Sequence, residues 1–439
     1  GDPYPLYPSS NLGSFAGLLA YPLLLEPLMP VAAQSMLWTI GYGLLVALVL
    51  LCALILPRGV AQSAQIARAS EPAPNWPRMI QWMLLAAVPS GFMLSTSLHL
   101  TTDIVAMPLL WVLPLGLYLL SFSAAFSSNR WLADLMRDLA PLFLVITAMG
   151  AFTDSTPAPL LIAGMALLAL FVVATALHAR MYDLRPAPEH LTRFYLCMSA
   201  GGVIGGILCA LIAPLVFDWG YEHPLLILAA ALLLHRAPLF AFAARLWTPV
   251  TMGLVLLGAL GLSLLAEGHA MRLAVALVID FAALLAIGRP LLFAALVACL
   301  GLSMGGWEKL QLSLKPGATT RSYFGIYSVQ TQGRQRLLVH GTTVHGIQRL
   351  EPGRTHEATS YYAPLSGVGL GLTAAPKLFG PQARIGIVGL GAGTLACYRR
   401  PGQDWRFYEI DPVIADIARD RRAFTFLADC APQAPIAIG

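Results

Sequence analysis

Long unbroken apolar stretches dominate the first 304 positions, and short alternating runs separated by Thr, Gln and Gly dominate the rest. A helix crosses the hydrocarbon layer with about 20 mostly apolar residues, because an open structure would leave backbone groups unsatisfied there. The stretches 35–56, 79–98, 104–124, 158–178, 194–217 and 246–266 qualify, while 12–25, 139–152, 224–240, 271–287 and 290–304 are shorter or interrupted. Roughly nine to eleven spans are predicted. From Gly305 onward the period shortens: 323–329 and 336–340 read as strands of a small β-structure, a helix is expected around Ser360 to Pro376, and Arg384–Val388 reads as a buried parallel strand. The expected fold is therefore a polytopic α-helical membrane domain (1–304), a small β-rich part with a helix (305–380), and the start of an α/β Rossmann-like nucleoside-binding domain (381–439).

Composition sharpens the division. The chain of 439 residues is 57% hydrophobic and 11% charged, less than half the usual charged share of about 25%, which excludes an ordinary soluble enzyme. The low charge belongs to the first part: 25 of its 304 residues are charged, 13 acids against 12 arginines, whereas the last 135 residues hold 9 acids and 15 bases. That excess forms no Lys/Arg stripe with interleaved aromatics, so nucleic acid is disfavoured as a partner. The six cysteines are scattered without a CxxC pair and read as small buried apolar residues. The chain starts Gly1-Asp2 and stops at Ile438-Gly439 just after an apolar strand-like stretch, and it reads as a fragment.

Arginine falls in alternate loops, 57–78, 125–138, 179–193 and 235–245, and the loops near Asp103, Asp154 and Asp218/Glu222 lack it. The basic loops are expected on the cytoplasmic side. Continued through Arg289 and one more span, this alternation leaves the C-terminal region outside, where an adenosyl ligand is scarce. Either one weak segment, such as 224–240 or 290–304, does not cross, or the cytoplasmic placement of the C-terminal region is wrong; the first is the favoured expectation. Within the spans, Asp280 is a costly ionisable residue, expected to be satisfied by a neighbouring helix or to mark a substrate path, and His99, Asp103 and His178 sit near span ends. Gly201, Gly202, Gly205 and Gly206 form a small-residue face suited to close helix packing.

The strand 384–388 runs directly into Gly389-Leu390-Gly391-Ala392-Gly393-Thr394. Glycines there let the backbone turn sharply and let a ligand approach, and a following helix would offer its N-terminal amides. The spacing is GxGxG, with Thr394 where a dinucleotide fingerprint has its third glycine, so nicotinamide and flavin are disfavoured. Glu409 ends the next strand 20 residues after Gly389, placed to accept both ribose hydroxyls. His340, His345 and His356 invite a zinc reading, but their spacing matches no established cluster.

The run Ile387–Gly393, with Tyr408-Glu409-Ile410-Asp411-Pro412, resembles the spermidine synthase family, whose fold is that of S-adenosylmethionine-dependent methyltransferases. The wider chain looks like its membrane-embedded members, the fused major-facilitator/spermidine synthase proteins, through Asp2-Pro3-Tyr4, Ser10–Ser14, Tyr21-Pro22, Glu26-Pro27, Arg185–Thr192, His340–Gln348 and Ser360-Tyr361-Tyr362. The resemblance implies that Gly389, Gly391, Ala392, Gly393, Glu409 and Asp411 line decarboxylated S-adenosylmethionine or S-adenosylmethionine, and that His340, His345, Gln348, Tyr361 and Tyr362 line the acceptor pocket. It implies no metal. It also implies aminopropyl transfer to an amine, as in polyamine biosynthesis, with methyl transfer to a membrane-associated acceptor and a transporter with an adenosyl-sensing domain as alternatives.

Departures from the family bear on that choice. Its glycine-loop aspartate is Ala392 here, its Leu-Asp-Gly is Val339-His340-Gly341, and its Tyr-(His or Gln)-Glu turn is Tyr361-Tyr362-Ala363. The family's catalytic aspartate follows a fourth strand, beyond Gly439, so no catalytic residue is assigned within the chain. The expected setting is a bacterial inner (plasma) membrane with the C-terminal region cytoplasmic. The expected partners are the bilayer, a small-molecule amine or other nucleophile, and a second copy of the chain as a homodimer.

Overall fold

A computed structural model describes residues 6–55, 73–104, 110–152, 158–234, 236–315 and 317–439. Asp2-Pro3-Tyr4, Arg58, Arg68 and Asp154, and the side chain of Asp103, lie outside the described residues. Among the described residues, five helices are long and apolar enough to cross a membrane: Val31–Ile55, Trp76–Thr102, Pro159–Asp183, Pro188–Val216 and Pro290–Ser313. Shorter apolar helices, among them Val112–Ala125, Glu222–Leu233 and Pro249–Leu265, pack with them. The stretch expected at 104–124 is not one span, since a π-turn ends at Ile104 and the helix begins at Val112. Val31–Ile55 buries no residue and presents apolar side chains all round, as a helix facing lipid does.

The tightest helix pair joins Trp76–His99 to Leu191–Ile207. Of the four glycines expected to form its packing face, Gly201 and Gly205 do so: a Cβ on either would lie 2.3 Å from the backbone oxygen of Met83 or Ala87. Gly202 and Gly206 face open space. Spacing of four residues puts only one pair on the contact face. Asp280 Oδ1 is buried without a hydrogen-bond partner among the described residues, so the expected neighbouring-helix partner is not found there for that oxygen. His178 bonds Ser121 (2.9 Å) and stacks on Phe122, and His99 stacks on His223.

Hydrogen bonds define two ends of the bundle. At one, Arg78 donates to the Leu184 carbonyl, Arg137 pairs with Asp183 (2.7 Å), Arg180 donates to the Leu233 carbonyl, and Arg236 pairs with Asp138. The C-terminal region docks at the other: Arg321 pairs with Glu222, Ser313 Oγ donates to Asp218 (2.9 Å), and Thr342 N donates to the Thr102 carbonyl (2.9 Å). Glu222–Leu233 therefore runs from the docking end to the arginine end, and Pro290–Ser313 returns.

The last bundle helix carries on to Ser313 after a break at Met304 and Gly305, past the expected boundary at 304. Strands β1 (Thr319–Arg321), β2 (Ile326–Gln332), β3 (Gln335–His340) and β4 (Thr343–Arg349) then form an antiparallel meander. A 3₁₀ turn (Ser360–Tyr362) and a helix (Gly367–Phe379) replace the single helix expected from Ser360, because Pro364 interrupts and Ser366 caps the later start through Gly369 N. Strands β5 (Arg384–Val388), β6 (Asp404–Glu409) and β7 (Ile436–Ile438) form a parallel sheet in that order. Both sheets share one core, in which Tyr327 and Leu338 pack with Ile387, Trp405, Phe407 and Phe426.

Cys397 and Cys430 form a disulfide, a correction to the reading of all six cysteines as buried apolar residues. Thirty-three positions of sequence separate them, too far for local spacing to signal a pair. Cys52 is exposed, whereas Cys197, Cys209 and Cys299 are buried as expected.

Candidate functional site

β5 ends where its hydrogen-bond ladder gains one more rung, from Gly389 N to the Tyr408 carbonyl (2.8 Å). The chain then turns with Gly389, Gly391 and Gly393 all at positive φ (89°, 55° and 81°), a conformation that side-chain-bearing residues rarely adopt. Glu409, at the end of the adjacent parallel strand, is 8% exposed. Its two carboxylate oxygens accept from Leu390 N (2.7 Å) and Asp411 N (3.0 Å). Each oxygen keeps a further lone pair, so the carboxylate holds the loop and can still receive hydroxyl donors.

A pocket of about 270 Å³ lies over this loop. It brings Gly389, Gly391 and Glu409 together with His340, His345 and Tyr362, and its apolar walls include Leu338, Ile387 and Ile414. The Tyr362 hydroxyl would be 3.5 Å from a Cβ at Gly391, so that glycine leaves room between loop and phenol. Tyr362 is fixed from behind by the Tyr398 hydroxyl, which donates to its carbonyl (2.6 Å). Five sequence-derived candidates do not line the pocket. Ala392 is fully buried and faces Gly346, where an added Cβ would lie 2.5 Å away. A carboxylate at position 392 would enter the core. Gly393 packs against Leu427.

Asp411 caps the helix Pro412–Arg419 through Val413 N (2.9 Å) and accepts from Ser322 Oγ (2.5 Å). Gln348 is fully buried and ties β4 to the end of the chain through Thr355 and Thr425. Tyr361 is exposed and rests on Tyr362. Gln348 is turned away by its bonding partners, whereas Asp411 stays near enough to act on His340 through its charge. Beyond Gly393 the chain forms only a five-residue 3₁₀ helix, Thr394–Tyr398, not the expected amide-donating helix, because Arg399 is extended and Pro401 follows.

His340 and His345 stand with ring centroids 5.6 Å apart. Burial, and the neighbouring His345, lower the basicity of His340 against the pull of Asp411; burial alone lowers that of His345. Both shifts favour the neutral ring at pH 7. Because the unfolded chain takes up protons at about pH 6.5 and the folded sites only below that, stability is full above this value. It declines as pH falls from there through the lower folded pKa values. Denaturant titration from pH 8 to 5 will show this slope, and the double variant His340→Gln/His345→Gln will flatten it. An unchanged slope in the double variant refutes the assignment.

His356 bonds Asp429 at the surface (3.1 Å), away from the other two histidines. Tyr327, which also lines the pocket, was missed in the sequence; the alternation of β2 was the available signal. The Arg321–Glu222 pair, which locks the region to the bundle, had no sequence signal, since 99 positions separate its members. Compared with known proteins, the chain matches no family model, no curated protein and no solved structure.

Proposed function

We propose that the C-terminal region binds an adenosyl sulfonium, S-adenosylmethionine or its decarboxylated form, and transfers a carbon group from sulfur to a nucleophile beside His340 and His345. The carrying observation is the single pocket that unites the glycine loop and Glu409 with two neutral imidazoles. In this reading β5–β7 begin a Rossmann-like fold of the S-adenosylmethionine type, and the bundle holds nine to eleven spans of a plasma membrane. The sulfonium is an activated leaving group, so the protein's task is to position reactants and accept a proton.

Transfer of a methyl group is favoured over transfer of an aminopropyl group. Glu409 is the pocket's carboxylate, and both its oxygens already hold backbone amides. Ala392 is sealed in the core, and Ala363 has no charge. A cationic propylamine or polyamine thus meets no dedicated acid among the described pocket residues. Calorimetry on the purified chain should find S-adenosylmethionine binding at least about tenfold, or ~1.4 kcal/mol, more tightly than the decarboxylated form. A preference for the decarboxylated form would restore aminopropyl transfer, and binding of neither overturns the nucleoside site.

Orientation is the second part of the proposal. Eleven of the twelve arginines before residue 305 lie in the basic loops and at Arg289, and the C-terminal region docks at the opposite end, beside Glu222 and Asp218. In this reading the basic loops and the C-terminal region lie on opposite sides of the membrane. Arginine bias puts the region on the non-cytoplasmic side, and the Cys397–Cys430 disulfide fits an oxidising compartment. A donor made in the cytoplasm must then cross the membrane, which is what the transporter reading has in its favour.

Impermeant maleimide should label Gly317→Cys from outside intact cells and a cysteine at Arg185 only after lysis. Labelling of both from one side refutes this orientation.

A further inference from the structure

A second and larger cavity, about 590 Å³, lies in the seam between the bundle and the β-meander. The bundle contributes Leu94, Leu98 and Ala210, the β1–β2 connection contributes Phe324, and Ile326 comes from the start of β2. His340 lines both this cavity and the nucleoside pocket, so the imidazole stands between the two. It lies directly on the bare backbone of Gly325, where a Cβ would come within 2.2 Å of Nε2.

The cavity's charged members, Arg321 and Glu222, neutralise each other through two hydrogen bonds (2.7 and 2.8 Å) and are almost wholly buried. Among the described residues the lining therefore offers no unpaired carboxylate to a dication. Its mouth has the chemistry of a membrane interface. Tyr323 and Phe324 are exposed there, and the Tyr323 hydroxyl reaches the Leu211 carbonyl (3.5 Å). Leu211 belongs to a segment, Leu208–Val216, whose outward apolar residues Leu211, Leu215 and Val216 are 53%, 72% and 66% exposed. Exposed leucines on a spanning helix face lipid, and aromatic residues just beyond them mark the headgroup level.

We propose that this seam cavity is the acceptor site and that the acceptor is a bilayer amphiphile: a lipid with a neutral amine or hydroxyl head. The head enters past Tyr323 and stops at His340, while the tail stays among Leu94, Leu98 and the surrounding lipid. The chemistry at His340 rests on the transfer reading above; the binding of an amphiphile does not. In the transfer, the nucleophile's lone pair forms a bond to the methyl carbon of the adenosyl sulfonium. The C–S bond breaks with its pair remaining on sulfur, giving a neutral thioether, and the nucleophile's proton passes to neutral His340.

The test uses the full chain in nanodiscs with a photoactivatable sixteen-carbon alkyl alcohol, the cross-linked peptides being mapped by mass spectrometry. Labelling is expected to concentrate in 94–98, 208–214 and 321–326, with unlabelled long-chain alcohol competing and 1,4-diaminobutane not competing. Ala210→Trp, which fills the cavity from the bundle, and Phe324→Asp, which places a charge at the mouth, should each lower labelling at least tenfold without altering S-adenosylmethionine affinity. Labelling spread evenly over lipid-facing helices, or unchanged in both variants, or displaced by the short diamine, overturns the proposal. If the nucleoside fails to bind while the seam is still labelled, the transfer reading fails and the amphiphile site stands.

Discussion

Glu409→Ala is expected to weaken S-adenosylmethionine binding by at least about 100-fold, or ~2.7 kcal/mol. A hydrogen bond to a charged group contributes about 1.5–3 kcal/mol, and the proposed ribose contact makes two. The same change strips Leu390 N and Asp411 N of their acceptor, at a cost of about 1–3 kcal/mol for each amide left unsatisfied. Loop order and ligand contact are lost together, and a second variant separates them. Glu409→Gln keeps the shape and one acceptor oxygen, so it should recover part of the thermal stability but little of the affinity, since its amide presents donors where hydroxyl donors arrive. Calorimetry and thermal unfolding on the same preparations will read both quantities. Affinity unchanged in Glu409→Ala would end the nucleoside assignment.

Why that carboxylate was legible in the sequence while its neighbours were misplaced is a matter of range. The approach of Glu409 to the glycine loop is fixed by two adjacent parallel strands, Arg384–Val388 and Asp404–Glu409, in register, and a strand–turn–strand unit declares itself over 20 to 30 residues. The positive φ at Gly389, Gly391 and Gly393 is likewise a local property, visible as glycine. Gln348 and Asp411 also sit near the loop in sequence or register, yet Gln348 bonds Thr425 across 77 positions and Asp411 bonds Ser322 across 89. No periodicity carries such pairings.

The membrane part divides in the same way. Apolar run length located some helices to within a few residues, for example 246–266 against Pro249–Leu265, whereas 104–124 and 224–240 overran the helices Val112–Ala125 and Glu222–Leu233 at one end. Which end of the bundle receives the C-terminal region depended on Arg321, Ser313 and Thr342 finding partners about 95 to 240 positions away. These bonds put the region at the end opposite the arginine-rich loops.

Glu222→Gln is expected to cost about 3–5 kcal/mol of stability, because it leaves the Arg321 guanidinium buried and uncompensated. The side chains of Arg321 and Glu222 are 4% and 1% exposed, and the fork of Arg321 is otherwise held by the Trp219 carbonyl (2.8 Å), which supplies partial charge only. A buried pair is weak evidence for net stability, since desolvation opposes its attraction. The double variant Glu222→Met/Arg321→Met should therefore recover most of what Glu222→Gln loses. Thermal unfolding in nanodiscs reads the loss, and protease access to the segment 313–319 reads where it falls. Cleavage there should rise in the single variant and return toward the native rate in the double. If Glu222→Gln leaves both measurements unchanged, the pair does not join the two parts, and the docking that brings Tyr323 onto the lipid-facing Leu208–Val216 segment must rest on the Thr102 and Asp218 contacts instead.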